Sequence, residues 1–186
     1  DQRLVTGEAK YLEDIHLSDM VHAVVKRSDY AHAKIIKIDS SEAEKMPGVL
    51  GVWTGKDFEE LNPMPCAWQA GGITNNANTP RVLEIDKVTF TGQGVAVVVA
   101  ENRSIAEDAS SKIIIDYEEL PVVVSAEDAI KTGAPQLHEN APKNICMEWE
   151  CGNEEGTDKA LGEADIIVKE KLVNQRVIPS SMEPRG

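Results

Sequence analysis

The stretch that decides the fold is GVAVVVAENRSIAEDASSKIIIDYEEL, residues 94–120. Residues 94–101 form a Val-rich apolar run that is typical of a buried strand. Residues 102–112 place small and apolar side chains on one helical face, with Ser104 and Glu107 at the spacing of a capping box. Residues 113–120 return to β-branched and aromatic side chains. The stretch therefore predicts a strand, a helix and a second strand.

The same unit occurs earlier in the chain. Two apolar runs suited to strands, VHAVVKRS and GVWTGKDF, flank the segment SSEAEKM. In that segment Ser41 and Glu44 also have capping-box spacing, and Pro47 with Gly48 predicts the end of the helix. Two strand–helix–strand units in one chain predict a mixed α+β fold.

Two stretches interrupt this pattern and are rich in Pro, Gly and Asn, which suit turns. They are NPMPCAWQAGGITNNANTPR at 62–81 and KTGAPQLHENAPKN at 131–144, and we interpret both as loops or linkers. NEEGTDKALGEAD at 153–165 predicts a short helix. The β-branched run that follows predicts a final strand from Asp165 to Ile178.

Composition narrows the choice of partners and compartment. The chain has 186 residues, a hydrophobic content of 41% and a net charge of −13. Such a charge repels phosphate backbones and anionic lipids, so neither nucleic acid nor a membrane is expected as a partner. No apolar run is long enough to span a bilayer and the first residues do not resemble a signal peptide. We therefore predict a cytoplasmic location.

The glycine pair in FTGQGVAVVVA is similar to the start of a dinucleotide-binding loop. Such a loop must open a helix and needs a third small residue, but that place is taken by Val97, inside a predicted strand. A tight turn at Gly92 and Gly94 that leads into a buried strand is the better interpretation.

Cysteine and histidine give no ligand set. Cys146 and Cys151 have the spacing of the first half of an iron–sulfur loop, but Glu154 stands where the next ligand is required. The three cysteines instead suggest free thiols in a reducing compartment. His22 and His32 lie among small and apolar residues and are expected to be packed against the backbone. The residues alone thus predict an acidic α+β module without catalytic or metal-binding residues, which leaves open a free-standing, non-catalytic binding or interaction module.

Five phrases, taken together, resemble a known family. They are RLVTGEAKYLEDI, VHAVVKRSDYAHAKIIKID, MPGVLGVWTGKDF, DKVTFTGQGVAVVVAENRSIAEDASSKIIIDYEELPVVVSAEDAI and QRVIPSSMEPRG. In this order they resemble the N-terminal part of the large subunit of molybdenum hydroxylases, the group of aldehyde oxidases, xanthine dehydrogenases and aerobic carbon monoxide dehydrogenases. The resemblance covers nearly the whole chain.

The resemblance implies an α/β hammerhead domain over residues 1–130, a linker with a short helix over 131–164, and the first strand of a molybdopterin-binding domain over 165–186. It implies a molybdenum–molybdopterin cofactor, in its dinucleotide form, in the complete subunit and none in this chain alone. The expected partners are the remainder of the molybdenum subunit, iron–sulfur and flavin subunits, and a small-molecule substrate. Glu183 and Arg185 are the residues expected near the cofactor, with an ion pair or a strand anchor as the simpler role for both.

The resemblance leaves the substrate open among aldehydes, carbon monoxide and N-heterocycles. The phrases EWE and GTDKA are most similar to carbon monoxide dehydrogenases and archaeal-type aldehyde dehydrogenases. A Leu-Glu-Thr phrase of the carbon monoxide enzymes is replaced here by Met182, Glu183, Pro184 and Arg185. This departure favours an aldehyde-oxidising or uncharacterised relative.

Overall fold

A computed structural model describes residues 2–65, 76, 79–175, 177, 180, 181 and 183. The chain divides into two compact units, one of residues Val21–Trp149 and one of Asp1–Met20 with Glu150–Gly186. The helices are α1 Gln2–Thr6, α2 Ser41–Glu44, α3 Arg103–Lys112, α4 Ala126–Ala129 and α5 Glu154–Gly162. The strands are β1 His22–Arg27, β2 Ala33–Asp39, β3 Val49–Thr54, β4 Lys87–Val88, β5 Gly94–Ala100 and β6 Ile114–Glu119.

The six strands form two antiparallel sheets of three strands each. The first sheet has the order β1-β5-β3 and the second the order β4-β2-β6. The unit around α3 passes from the first sheet to the second, because α3 connects β5 to β6. The predicted strand VHAVVKRS is β1, which lies in the same sheet as β3, and the strand that α2 connects to β3 is β2 of the second sheet. The α+β prediction is confirmed, and the helical crossovers join different sheets.

The main core lies between the first sheet and the two helices of the crossovers. Its fully buried residues are small, and they come from α2, β5 and α3: Ala43, Ala96, Val98, Ala100, Ala106 and Ala109. Alanine on both sides of the contact lets the helix axis approach the sheet closely, which excludes water over the length of β5. Register then fixes which strand residues face the core, since Val24, Val98 and Val52 lie side by side and all three belong to it.

A smaller cluster holds the second sheet against the first. Val95 at the start of β5 is fully buried together with Ala33 of β2 and Val88 of β4. Ile115 of β6 contacts both this cluster and the main core. One apolar interior therefore connects the two sheets, and both are held by β5.

Both helix starts differ from the predicted capping boxes. The N-cap of α3 is Asn102, whose side-chain oxygen accepts a hydrogen bond from the Ile105 amide at 2.9 Å. The N-cap of α2 is Ser40, which makes no side-chain capping bond, and the amide of Ser41 donates to the Asp39 carboxylate at 3.2 Å. Asn and Asp accept hydrogen bonds from free amides as well as Ser does, and several polar residues lay within reach of each helix start.

Two later segments also depart from expectation. Residues 131–145 contain the fully buried Ala141 and belong to the compact unit Val21–Trp149, so they are more ordered than a plain linker. Residues 165–175 form no strand, and Ile166 and Leu172 are 82% and 89% exposed. A strand needs an edge to pair with, and this run pairs with none of the described strands. The domain boundaries 1–130, 131–164 and 165–186 remain a prediction.

The helices of the described residues all fall short of the length and apolar character that crossing a bilayer requires.

The two faces of β5 should respond differently to truncation. Val98→Ala leaves a cavity beneath the helices and should lower the free energy of unfolding by about 1–3 kcal/mol. Val97→Ala, on the half-buried outer face, should cost about 1 kcal/mol or less in the same chain. Urea unfolding of both variants measures the difference, and equal costs would contradict the assignment of the inner face.

Candidate functional site

Glu183 forms a structural contact within the unit built from the two ends of the chain. Its Oε1 accepts a hydrogen bond from the backbone amide of Leu12 at 2.8 Å. Leu12 begins a single 3₁₀ turn, Leu12–Asp14, in which the Tyr11 amide donates to the Asp14 carboxylate at 2.9 Å. Glu183 therefore satisfies an otherwise free amide of the first turn, and its place near a cofactor stays a prediction. Arg185 lies outside the described residues.

The unit Val21–Trp149 contains an open cleft of about 830 Å³. It lies where β2 and β4 meet the loop around Leu137 and the segment before β5. The residues that line it are mostly polar or charged: Lys34, Pro63, Thr79, Pro80, Arg81, Glu84, Ile85, Asp86, Lys87, Thr89, Phe90, Gln93, His138, Glu139 and Asn140.

The cations of the cleft are engaged by neighbouring groups. Lys34 Nζ lies 2.8 Å from Glu118 Oε1, and Lys87 Nζ donates to the Leu137 carbonyl at 2.9 Å. The Arg81 guanidinium donates to the carbonyls of Glu59 and Leu61 at 3.2 and 3.4 Å. These contacts fix the walls of the cleft, because a cation that is bound to a carbonyl holds the backbone that carries it.

Gln93 is a buried polar residue that connects two parts of the cleft wall. The residue is only 5% exposed and lies in the turn between Gly92 and Gly94. Its Nε2 donates to Glu84 Oε1 at 2.7 Å, and its Oε1 accepts from the Thr89 amide at 2.7 Å. The turn before a buried strand is thus confirmed, with φ of 92° at Gly92. Sequence reasoning missed Gln93, although a buried-strand run that begins with an amide side chain between two glycines is the signal that could have found it.

Asn144 fixes the loop that supplies the opposite wall. Its Oδ1 accepts from the Leu137 amide at 2.9 Å, and its Nδ2 donates to the carbonyls of Ala129 and Pro135, both at 2.9 Å. Its φ of 58° is a left-handed conformation that Asn tolerates better than most residues. One side chain therefore binds three backbone groups and keeps residues 137–140 at the cleft.

Two histidines lie behind and at the edge of the cleft. His32 is 5% exposed, and its Nδ1 lies 2.7 Å from the Pro121 carbonyl. Because a carbonyl only accepts, we assign the proton to Nδ1, and the backbone contact predicted for His32 is confirmed. Burial, followed by the charge of Lys87 and the proximity of His32, lowers the pKa of His138. His138 is therefore a neutral wall residue at pH 7.

Thiols and carboxylates do not assemble a metal centre in the part of the chain that the structure describes. Cys146 is half-buried and Cys151 is exposed, and both are free thiols. No group of three His, Cys, Asp or Glu side chains in the described ranges is placed to hold a metal ion. The described residues thus form a polar, well-braced cleft and a contact between Glu183 and the Leu12 amide.

Comparison with the sequences of known proteins identifies one family. Residues 6–121 match the family described as aldehyde oxidase and xanthine dehydrogenase, a/b hammerhead domain. The carbon monoxide dehydrogenase large chain of Afipia carboxidovorans is 35% identical over 98% of this chain and 23% of its own length. The nicotine 6-hydroxylase large subunit of Paenarthrobacter nicotinovorans is 36% identical over 100% of this chain and 22% of its own length. The chain thus spans about a quarter of the length of these relatives.

Solved structures give the same result at the level of fold. A Cu,Mo-CO dehydrogenase is similar with a TM-score of 0.71 and 34% identity, over 89% of this chain and 22% of that one. Quinoline 2-oxidoreductase from Pseudomonas putida is similar with a TM-score of 0.66 and 40% identity, over 74% of this chain and 17% of that one.

Asn144→Asp should loosen the loop at the cleft. A carboxylate still accepts from the Leu137 amide, but it cannot donate to the carbonyls of Ala129 and Pro135 and leaves both without a donor. The expected loss is about 1–3 kcal/mol of unfolding free energy, with the first proteolytic cuts within residues 131–143. Asn140→Asp, at an exposed position of the same loop, is the matched control. Equal urea midpoints for the two variants would contradict the role of Asn144.

Acidification should destabilise the chain through His138. Because its pKa is lowered in the folded state from the ordinary 6.5, the unfolded chain takes up this proton first. The contribution of His138 to stability is full above pH 6.5 and is lost as the pH falls through the lowered pKa. Urea midpoints at about pH 7.5 and about pH 5.5 measure the loss, which should be smaller in His138→Gln. His16→Gln is the control at an exposed histidine, and an unchanged loss in His138→Gln would refute the assignment.

Proposed function

This chain belongs to the aldehyde oxidase and xanthine dehydrogenase family and carries its a/b hammerhead domain, and from that premise we propose that it is the hammerhead-bearing part of the large, molybdenum subunit of a hydroxylase. The observation that supports this most strongly is identity of about one third along the whole chain to large subunits of such enzymes. Each of those subunits is about four times longer. The role of these residues is then to scaffold the subunit.

The complete enzyme oxidises an aldehyde, carbon monoxide or an N-heterocycle with oxygen derived from water, and passes the electrons to iron–sulfur and flavin subunits. The molybdopterin cofactor carries this chemistry, and the protein supplies binding and orientation. The described residues of this chain do not fit that cofactor. The only predicted contact among them, Glu183, is already engaged by the Leu12 amide, and no cluster of three metal-ligating side chains occurs in the described ranges. No step of the reaction is therefore assigned to these residues.

Residues 165–186 are, in this proposal, the start of the molybdopterin-binding domain. The run around Ile166, Val168 and Leu172 is exposed and apolar, and such a run becomes a stable strand only when a partner edge is present. Glu183 and Arg185 would then lie at the entrance to that domain. Their role there is to anchor the chain, with Glu183 fixing the first residues through the Leu12 amide.

The function is tested by comparing the isolated chain with the complete subunit from the source gene, assembled with its partners. A dye-linked assay on aldehydes, carbon monoxide and N-heterocycles should show turnover of at least one class by the assembly. The 186-residue chain, incubated with molybdate and pterin cofactor, should show none and should retain no stoichiometric molybdenum. Turnover by the short chain would refute the scaffold role. A gene that stops after Gly186 would instead favour a free-standing module.

A further inference from the structure

The loop that forms one wall of the cleft is braced by its own side chains. We call residues 134–144 the cleft loop. Gln136 Nε2 donates to the carbonyls of His138 and Glu139 at 2.9 and 3.2 Å. Asn144 binds the amide of one loop residue and the carbonyl of another, both at 2.9 Å. These bonds lie within the loop, so the loop has a shape that does not depend on the second sheet.

Basic side chains meet where the cleft loop contacts the second sheet. Lys87 of β4 donates from its Nζ to the Leu137 carbonyl at 2.9 Å. The next residue, His138, is half-buried in the cleft wall, and its pKa is lowered by burial, then by Lys87 and then by His32. His32 itself is 5% exposed and precedes β2. One lysine and two histidines are thus grouped at the contact between the loop and the sheet.

The other charged side chains of the cleft contact different groups or water. They are Lys34 with Glu118 at 2.8 Å, Arg81 with the carbonyls of Glu59 and Leu61, Glu84 with Gln93 at 2.7 Å, and the exposed Asp86 and Glu139. Water screens exposed carboxylates, so they do little to offset a charge in the half-buried wall. A proton gained by His138 therefore places a second positive charge near the Lys87 ammonium.

We propose that the contact of Lys87 and His138 is a pH-sensitive latch, which holds the cleft loop on the second sheet at neutral pH and releases it, so that the cleft widens, when His138 is protonated. Two like charges in a half-buried site repel each other more strongly than they do in water. The bonds of Gln136 and Asn144 within the loop do not titrate near neutral pH, so the loop leaves the sheet with its own shape intact.

The sign of the effect follows from the two states of the loop. His138 resists protonation in the docked loop, where its pKa is lowered, and takes up the proton more readily in the released loop, where its pKa returns towards 6.5. Docking is therefore at full strength above pH 6.5 and weakens as the pH falls through the lowered pKa. One such group can raise the ratio of released to docked loop by up to about tenfold between about pH 7.5 and about pH 5.5.

The test measures how often a buried position of the cleft loop becomes accessible. Ala141 is fully buried, so in a chain whose three cysteines are replaced by serine, Ala141→Cys reacts with maleimide only when the loop opens. Asn140→Cys, at the neighbouring exposed position, corrects for the pH dependence of the thiol itself. Ala109→Cys reports on opening of the main core. Between about pH 7.5 and about pH 5.5, the corrected rate of Ala141→Cys should rise by up to about tenfold, and that of Ala109→Cys should rise much less.

Variants of the latch assign the response to its residues. His138→Gln should abolish the rise, and His16→Gln, at an exposed histidine, should retain it. Lys87→Gln keeps a donor for the Leu137 carbonyl but removes the charge, so its rise should be smaller.

Three outcomes would overturn the proposal. An unchanged corrected rate for Ala141→Cys would show that the loop stays docked in acid. An equal rise for Ala109→Cys would show that acid unfolds the whole unit. A full rise in His138→Gln would assign the response to another group. Ala134→Cys, at a half-buried position of the same loop, is the second reporter if Ala141→Cys does not fold.

Discussion

Close packing of alanine against alanine between α3 and β5 is the constraint on which the rest of this structure depends. Ala96 and Ala100 of the strand and Ala106 and Ala109 of the helix are fully buried. A larger side chain at any of these positions would move the helix away from the sheet, and overpacking of this kind typically costs about 1–3 kcal/mol. Since α3 leads directly into β6, such a shift would also move the second sheet. The relation of the two sheets therefore depends on these four methyl groups as well as on the cluster of Val95, Ala33 and Val88.

The shape of the cleft depends on this packing and on polar side chains that form hydrogen bonds with the backbone. Gln93 can bridge Glu84 and the Thr89 amide because β5 begins directly after it. Asn144 performs the same task on the opposite wall. Side chains that are held by such hydrogen bonds brace the surface of the cleft. Such bracing is consistent with the scaffold role that we propose for this chain.

Both sheets leave apolar side chains in contact with water, among them Trp53 at 37%, Val25 at 38% and Ile114 at 63% exposure. Exposed apolar side chains of this kind carry a risk of association. The exposed apolar run after Asp165 has the same character. Surfaces of this composition are consistent with relatives in which the matching region is about a quarter of one long chain.

The sequence by itself determined the elements that depend on near neighbours. The strand, helix and strand of 94–120 could be predicted because a period of two or of 3.6 residues is a local property. Helix starts were less well determined, because Asp39 and Asn102 competed with nearby serines for the same free amides. The resemblance to molybdenum hydroxylases rests on the sequence alone, and it predicts the hammerhead fold without information on which strands pair.

Only the tertiary structure decided which strands pair, which face of β5 is covered, and where Glu183 makes its contact. Its partner Leu12 lies 171 positions away in the chain. The placement of the second sheet against the first depends on the packing of Val95, Ala33 and Val88. Ala33 is likewise distant in sequence from the other two. Such contacts are selected by the fit of surfaces that exist only after the chain has folded. A local pattern therefore predicts each element, and the assembled core determines its neighbours.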